Sequence, residues 1–313
     1  MLELRDLEPD DDLDAFHAGS ANWVGAQFWR DRAASIPADM PMLHVGALMD
    51  GQPAGAVFAV AAPAKREGRG FGTGGVLPDL RRRGVGTALR DRLLAELSGW
   101  SVPGVVLAAA DEPLVHEVLR RWGVPVTGRH YTSELDLAAL DDAAVSAAVG
   151  RAAAGGVDLA PFGDGEELDD AGRARLEALY PWICDRMREA PDSLGAVEDM
   201  PYSVFESLVG APWRLVLATR QGQGQLAGFT GVAPLSADTV NTFFTGVHPD
   251  ERGHGVGLAL KARHAQLLRE RGVRRIVTQN MDMNAAILRS NDRLGFVRTD
   301  AYLDAEFDAV SPA

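Results

Sequence analysis

Two stretches of this chain combine glycine, arginine and a strand-to-helix change in the way an anion site requires. The second runs from Thr245 to Arg263 and contains Val247, Pro249, Arg252, Gly253, His254, Gly255, Val256 and Gly257. The run ending at Val247 reads as a strand, and Val256, Ala259, Leu260 and Leu267 recur at helical spacing. The three glycines let the backbone approach a ligand closely. The first N–H groups of a helix have no partner within it, and the dipole is positive at that end. A phosphate or pyrophosphate fits there, with Arg252 and His254 adding charge. An ordinary tight turn would read the same way.

The stretch occurs twice. From Val76 to Leu89 the same order appears, with Pro78, Asp79, Arg81, Gly84, Val85, Gly86 and Ala88 matching Pro249, Asp250, Arg252, Gly255, Val256, Gly257 and Ala259 without a gap. A repeat at about half the chain length implies two copies of one domain rather than a solenoid.

The spacing Val-x-Pro-x-x-Arg-x-x-Gly-x-Gly resembles the acyl-CoA-binding motif of the GNAT superfamily of N-acyltransferases in both copies. After the second copy, Thr278, Asn280, Asn284, Asn291 and Leu294-Gly295-Phe296 resemble the helix motif that follows the central strand in that family. The resemblance implies an α+β fold of two tandem GNAT-like domains, each a mixed central sheet flanked by helices. The expected division is a non-catalytic domain at 1–138, a helical linker at 139–156 and a catalytic domain at 157–313. It also implies that the turn of Arg252, Gly253, His254, Gly255, Val256 and Gly257 holds the coenzyme pyrophosphate, with Val247, Asn280 and Asn284 also binding the coenzyme. In the first copy Arg81, Gly84 and Gly86 stand in those places. There the rest of the motif is degraded: Asp111-Glu112-Pro113 has no asparagine, and Trp122-Gly123 replaces Gly-Phe.

The implied reaction is acetyl transfer from acetyl-CoA to the primary amine of a small molecule, an antibiotic or a biosynthetic intermediate, without a metal. The rivals are peptide or longer-chain acylation, and a non-catalytic acyl-CoA-binding regulator. Many family members carry a glutamate base and a tyrosine acid where this chain has Asn241 and Asn291. Asn291 either bonds the thiol sulfur or supports helix packing. Asp238 and Tyr302 are candidate replacements for the missing groups. Tyr180, Trp182, Asp185 and Tyr202 fall where relatives build the acceptor pocket, and would suit a cationic molecule. Core packing of two helices around the aromatics is the alternative reading.

Composition narrows the partners. The 313 residues suffice for two cores, and 46% hydrophobic with 24% charged residues is globular. A net charge of −13 argues against nucleic acid or an anionic membrane. One cysteine, Cys184, excludes an internal disulfide and, with no apolar run of spanning length, makes a cytoplasmic location the expectation. Strands are expected at 42–49 and 54–62 around Asp50-Gly51, at 241–247 and at 274–279. Helices are expected to about Ala34, and at 85–97, 166–187, 256–271 and 283–293. The glycines at 70, 72, 74 and 75 make a poor strand of the stretch before the first turn.

Overall fold

The computed structural model describes residues 1–21, 25–27, 30, 36–37, 39–61, 68–190 and 202–309. They form two compact units: Met1–His130 together with the C-terminal stretch from Ala301, and Tyr131–Asp300.

In the first unit β1 (Leu2–Asp6), β2 (Met42–Met49), β3 (Gln52–Val60), β4 (Gly70–Val76), β5 (Gly104–Ala110) and the end of β12 (Val297–Asp308) lie side by side. Asp50 and Gly51 both have positive φ, 53° and 80°, as a two-residue hairpin turn between β2 and β3 demands. The glycine-rich stretch is a strand after all, because its neighbours come too close for side chains. A Cβ on Gly72 would sit 2.0 Å from the Phe58 carbonyl oxygen, and one on Gly75 1.9 Å from that of Gly19. Helix α1 (Leu13–His17) and helix α2 (Val85–Leu97) pack against this sheet, with α3 (Pro113–Trp122) following β5. Most of the helix expected up to Ala34, including Trp23, Phe28 and Trp29, lies outside the described residues.

In the second unit the end of β6 (Val126–Asp136), then β11 (Arg275–Met281), β10 (Thr239–Val247), β9 (Leu226–Pro234), β8 (Leu215–Arg220) and β7 (Val157–Pro161) are neighbours. Alternation along β8 shows how the layers form. Val216 and Ala218 pack with Val256, Ala259 and Leu260 of α7 (Val256–Glu270), while Leu215 and Leu217 pack with α5 (Asp170–Arg188) and α6 (Tyr202–Val209) on the other face. The last helix is α8 (Ala285–Leu294).

Two expectations about division need correcting. The alanine-rich stretch at 139–156 is not a linker in the structural sense. It forms α4 (Asp142–Ala154), capped by the Asp141 carboxylate, and Val145 and Ala148 share a core with Leu258, Ala262 and Ala265 of α7. The last strand does not stay with the second half. Tyr302–Asp308 pairs antiparallel with Gly104–Ala110, and Leu303, Ala305 and Phe307 enter the first unit's core. Alternating apolar residues specify a strand but not its sheet. Among the described residues no helix is long and apolar enough to cross a membrane.

Candidate active site

Strands β10 and β11 run parallel and are paired only at Thr239–Asn241 with Arg275–Val277. Beyond Asn241 and Val277 they part, and each leaves unpaired N–H and C=O groups along the gap. A register shift between Thr242 and Phe244 marks a bulge against β9, which bends β10 where the parting begins. The two strands therefore splay toward the turn. In the first unit β4 and β5 likewise pair only from Gly70 with Val105 to Thr73 with Ala108.

At the end of β10 the chain turns through Pro249–Glu251 into α7. The helix opens at Gly255, φ 82°, with no side-chain cap, so its first N–H groups are left for a ligand. Gly253 is also left-handed, φ 82°, and Arg252, Gly253, His254 and Gly255 are exposed while Val256 is buried. Arg252 Nε donates to the Val247 carbonyl at 3.2 Å, and its guanidinium pairs with Glu189. The first unit repeats the construction: Gly84 opens α2 at φ 86° without a side-chain cap, and Arg81 Nε donates to the Val76 carbonyl at 3.2 Å. There a cavity of about 420 Å³ opens, lined among others by Gly75, Arg81, Gly84, Gly86, Ala109 and Trp122.

Two residues not singled out from the sequence brace the second turn. Glu251, with a side chain 8% exposed, accepts from Arg220 Nε at 2.5 Å and from its terminal nitrogen at 2.7 Å. Removing the carboxylate strands a half-buried guanidinium. We expect Glu251→Ala to cost about 2 kcal/mol of stability, below the figure for a fully buried pair because Arg220 keeps some water. Urea unfolding measures it, and a loss under about 0.5 kcal/mol would show the brace to be dispensable.

The remaining candidates separate. Asn291, buried, donates Nδ2 to Asn280 Oδ1 at 2.9 Å. Asn284 caps α8, accepting from the Ile287 N–H at 3.3 Å. Val240 faces the α7 side, so Asn241 faces α5 and α6. Its buried Oδ1 has no partner among the described residues. On that face Tyr180 meets Tyr202 at 5.4 Å and Phe205 at 5.2 Å, and Phe205 meets Phe243 at 6.3 Å. Trp182 turns instead to Phe229, and Asp185 pairs with Arg188 at the surface. Burial, then the Cys184 thiol, pushes the Tyr180 hydroxyl up to about 12, which makes it a poor acid at neutral pH.

Asp238 stands at the start of β10, the end remote from the turn. Hydrogen bonds from Thr239 and Ser236 hold its carboxyl below the usual range, opposite to what a base needs. Tyr302 belongs to the first unit, stacked on His130 at 4.6 Å. Lys261 and His264, both buried on α7, were not among the candidates from sequence. The signal was available: Lys261 interrupts the otherwise apolar series Leu258, Ala265 and Leu268 at helical spacing. Burial drives the Lys261 ammonium down to about 7 and the His264 imidazole down to about 3.

Comparison with known proteins agrees with this geometry. The sequence pattern of the Acetyltransferase (GNAT) family matches residues 176–296, inside the second unit. A mycothiol acetyltransferase of Clavibacter michiganensis subsp. michiganensis is 30% identical over 98% of this chain and 90% of its own length. In fold, a GCN5-related N-acetyltransferase from Sphaerobacter thermophilus superposes with a TM-score of 0.71 at 15% identity, covering 99% of this chain and 98% of that one. A tandem GNAT protein from the clavulanic acid biosynthesis pathway superposes with a TM-score of 0.69 at 20% identity over the whole of both chains. With its parted strands, its uncapped glycine turn and the duplicate of that turn, the chain belongs to the GNAT acetyltransferases as a tandem-domain acyltransferase.

Proposed function

We propose that the second unit transfers an acetyl group from acetyl-CoA to the primary amine of a small molecule. The observation that carries this is the parting of β10 and β11 directly above the uncapped start of α7. Pyrophosphate would lie on the Arg252–Gly257 turn. The pantetheine arm would take hydrogen bonds from the unpaired strand edges, as an added strand does. The acetyl group would then reach the bulge, where an unpaired backbone N–H can receive the carbonyl oxygen. On the far face the Tyr180, Tyr202, Phe205 and Phe243 rings and the unengaged Asn241 Oδ1 would receive the amine, the oxygen accepting one of its N–H groups. Nitrogen attacks the carbonyl carbon, the C–S bond breaks with its electron pair left on sulfur, and the proton shed by nitrogen ends on the thiol. No carboxylate stands at the usual base position, so proton removal through ordered water fits the asparagine there.

The first unit's cavity favours a second reading alongside the first, that its turn also holds a coenzyme molecule. Calorimetric titration of acetyl-CoA decides. We expect two molecules per chain for the native protein and one for Gly86→Trp. A single site lost with Gly257→Trp and kept with Gly86→Trp would restrict coenzyme to the second unit. Incubation with an amine panel distinguishes an enzyme that acetylates small amines from a peptide acetylase and from a binding protein without turnover.

A further inference from the structure

Lys261 is 4% exposed, and among the described residues no carboxylate is paired with it. Such an ammonium is costly, and a leucine or methionine would fill the same space with less penalty. Its Nζ instead donates to Asn291 Oδ1 at 2.6 Å and lies 5.0 Å from the Phe296 ring. Asn291 Nδ2 in turn donates to Asn280 Oδ1 at 2.9 Å, and the Thr278 hydroxyl donates to the same oxygen at 3.4 Å. Asn280 lies on the parted section of β11, beyond Val277, and is half-buried.

The order of this chain is fixed from its buried end. Lys261 Nζ donates to the amide facing it, and in its protonated form has three donors and no acceptor, so that amide presents oxygen. That turns Asn291 Nδ2 outward, which obliges Asn280 to accept with oxygen as well. Both carbonyl oxygens are then spent on inner donors, and only N–H remains to point elsewhere. Asn280 Nδ2 has no acceptor among the described residues.

We propose that Lys261 is a positioning residue for acyl transfer, locking Asn291 and Asn280 so that they offer N–H, never C=O, to the coenzyme sulfur. This rests on the reading that acyl-CoA occupies the parting of β10 and β11. When the C–S bond breaks, the electron pair stays on sulfur, and the amide N–H groups stabilise that thiolate until it takes the proton shed by the amine. An amide free to flip would first have to turn its N–H toward sulfur, whereas the locked pair already presents it.

The test reads the thiol of bound CoA, whose thiolate absorbs near 240 nm, as it is titrated on native protein, Lys261→Met and Asn291→Asp. A native amide pair that offers N–H lowers the bound thiol by about one pH unit from that of free CoA titrated alongside. Both variants should return it to the ordinary range. With an amine that the native enzyme acetylates, each should lose about 10- to 100-fold in kcat while KM for acetyl-CoA moves less than about 3-fold. Asn291→Asp keeps a partner for Lys261 but obliges Asn280 to donate inward, so it carries the test should Lys261→Met not fold. Equal thiol titrations in all three proteins overturn the proposal. Failure of native protein to bind CoA overturns the coenzyme site as well, a different result from binding with an unmoved thiol.

Discussion

Gly257→Trp is expected to abolish acetyl transfer while leaving the fold intact. Gly257 is the second residue of α7, in helical conformation, and a Cβ built there meets only Val247 Cγ2, at 3.4 Å. That is an ordinary contact with a small side chain, so the protein's own packing does not demand glycine. A coenzyme lying against the helix start does, because its pyrophosphate must approach the backbone closely. An indole at this position fills that space. We expect a loss of at least about 100-fold in kcat/KM for acetyl-CoA, or roughly 3 kcal/mol of binding. Release of free thiol from acetyl-CoA measures it, and an unchanged thermal midpoint shows that the helix still forms. Retained coenzyme affinity in a folded variant would remove the Arg252–Gly257 turn from the site.

The second large effect is on stability in mild acid. Two buried histidines, His17 and His264, and the half-buried His44 beside His17 are held as neutral rings. In the first unit, burial and then the charge of His44 hold His17 down at about 3, and burial holds His44 at about 4, the two Nε2 atoms being 2.9 Å apart. In the second unit, burial holds His264 at about 3. An unfolded histidine takes its proton near 6.5, so between that pH and 3–4 the unfolded chain binds protons that the folded chain refuses. This stabilisation is complete above 6.5 and is lost as pH falls toward the folded values. Each such group contributes a slope of about 1.4 kcal/mol per pH unit. With two such groups the first unit should lose about 4 kcal/mol between pH 6.5 and 5, and the second unit, with one, about 2 kcal/mol. Urea midpoints at pH 7.5 and 5.0 test this. His264→Leu should flatten the dependence of the second unit only, while giving up the ring's hydrogen bond to the Trp213 backbone. Equal midpoints at the two pH values would mean that these rings are not buried neutral.

The features legible in the sequence were the local ones. The Asp50-Gly51 hairpin, the two glycine turns and α7 are each specified within a few residues by positive-φ demand, helical spacing and a missing cap, and they stand where expected. The duplication was legible because both copies keep the same turn. What escaped depends on residues far apart. The Arg220–Glu251 brace joins positions 31 apart and the Lys261–Asn291 bond positions 30 apart, and neither residue type announces its partner. The glycines of β4 argued against a strand until the facing carbonyls of Phe58 and Gly19 gave their reason. Tyr302 was assigned to the wrong half because a strand's sequence names its face and not its neighbours.

That last strand has a consequence for synthesis. The ribosome delivers residues 1–130 first, yet the sheet of the first unit lacks the edge partner of β5 until Ala301–Asp308 has been translated. The unit made second, Tyr131–Asp300, is complete in sequence before the one made first. Leu303, Ala305 and Phe307 then fill the remaining places in the older core, so the nascent N-terminal half waits with an open sheet edge for more than half the length of translation. A stop codon a few residues before Ala301 would therefore injure the opposite end of the polypeptide from the one it shortens.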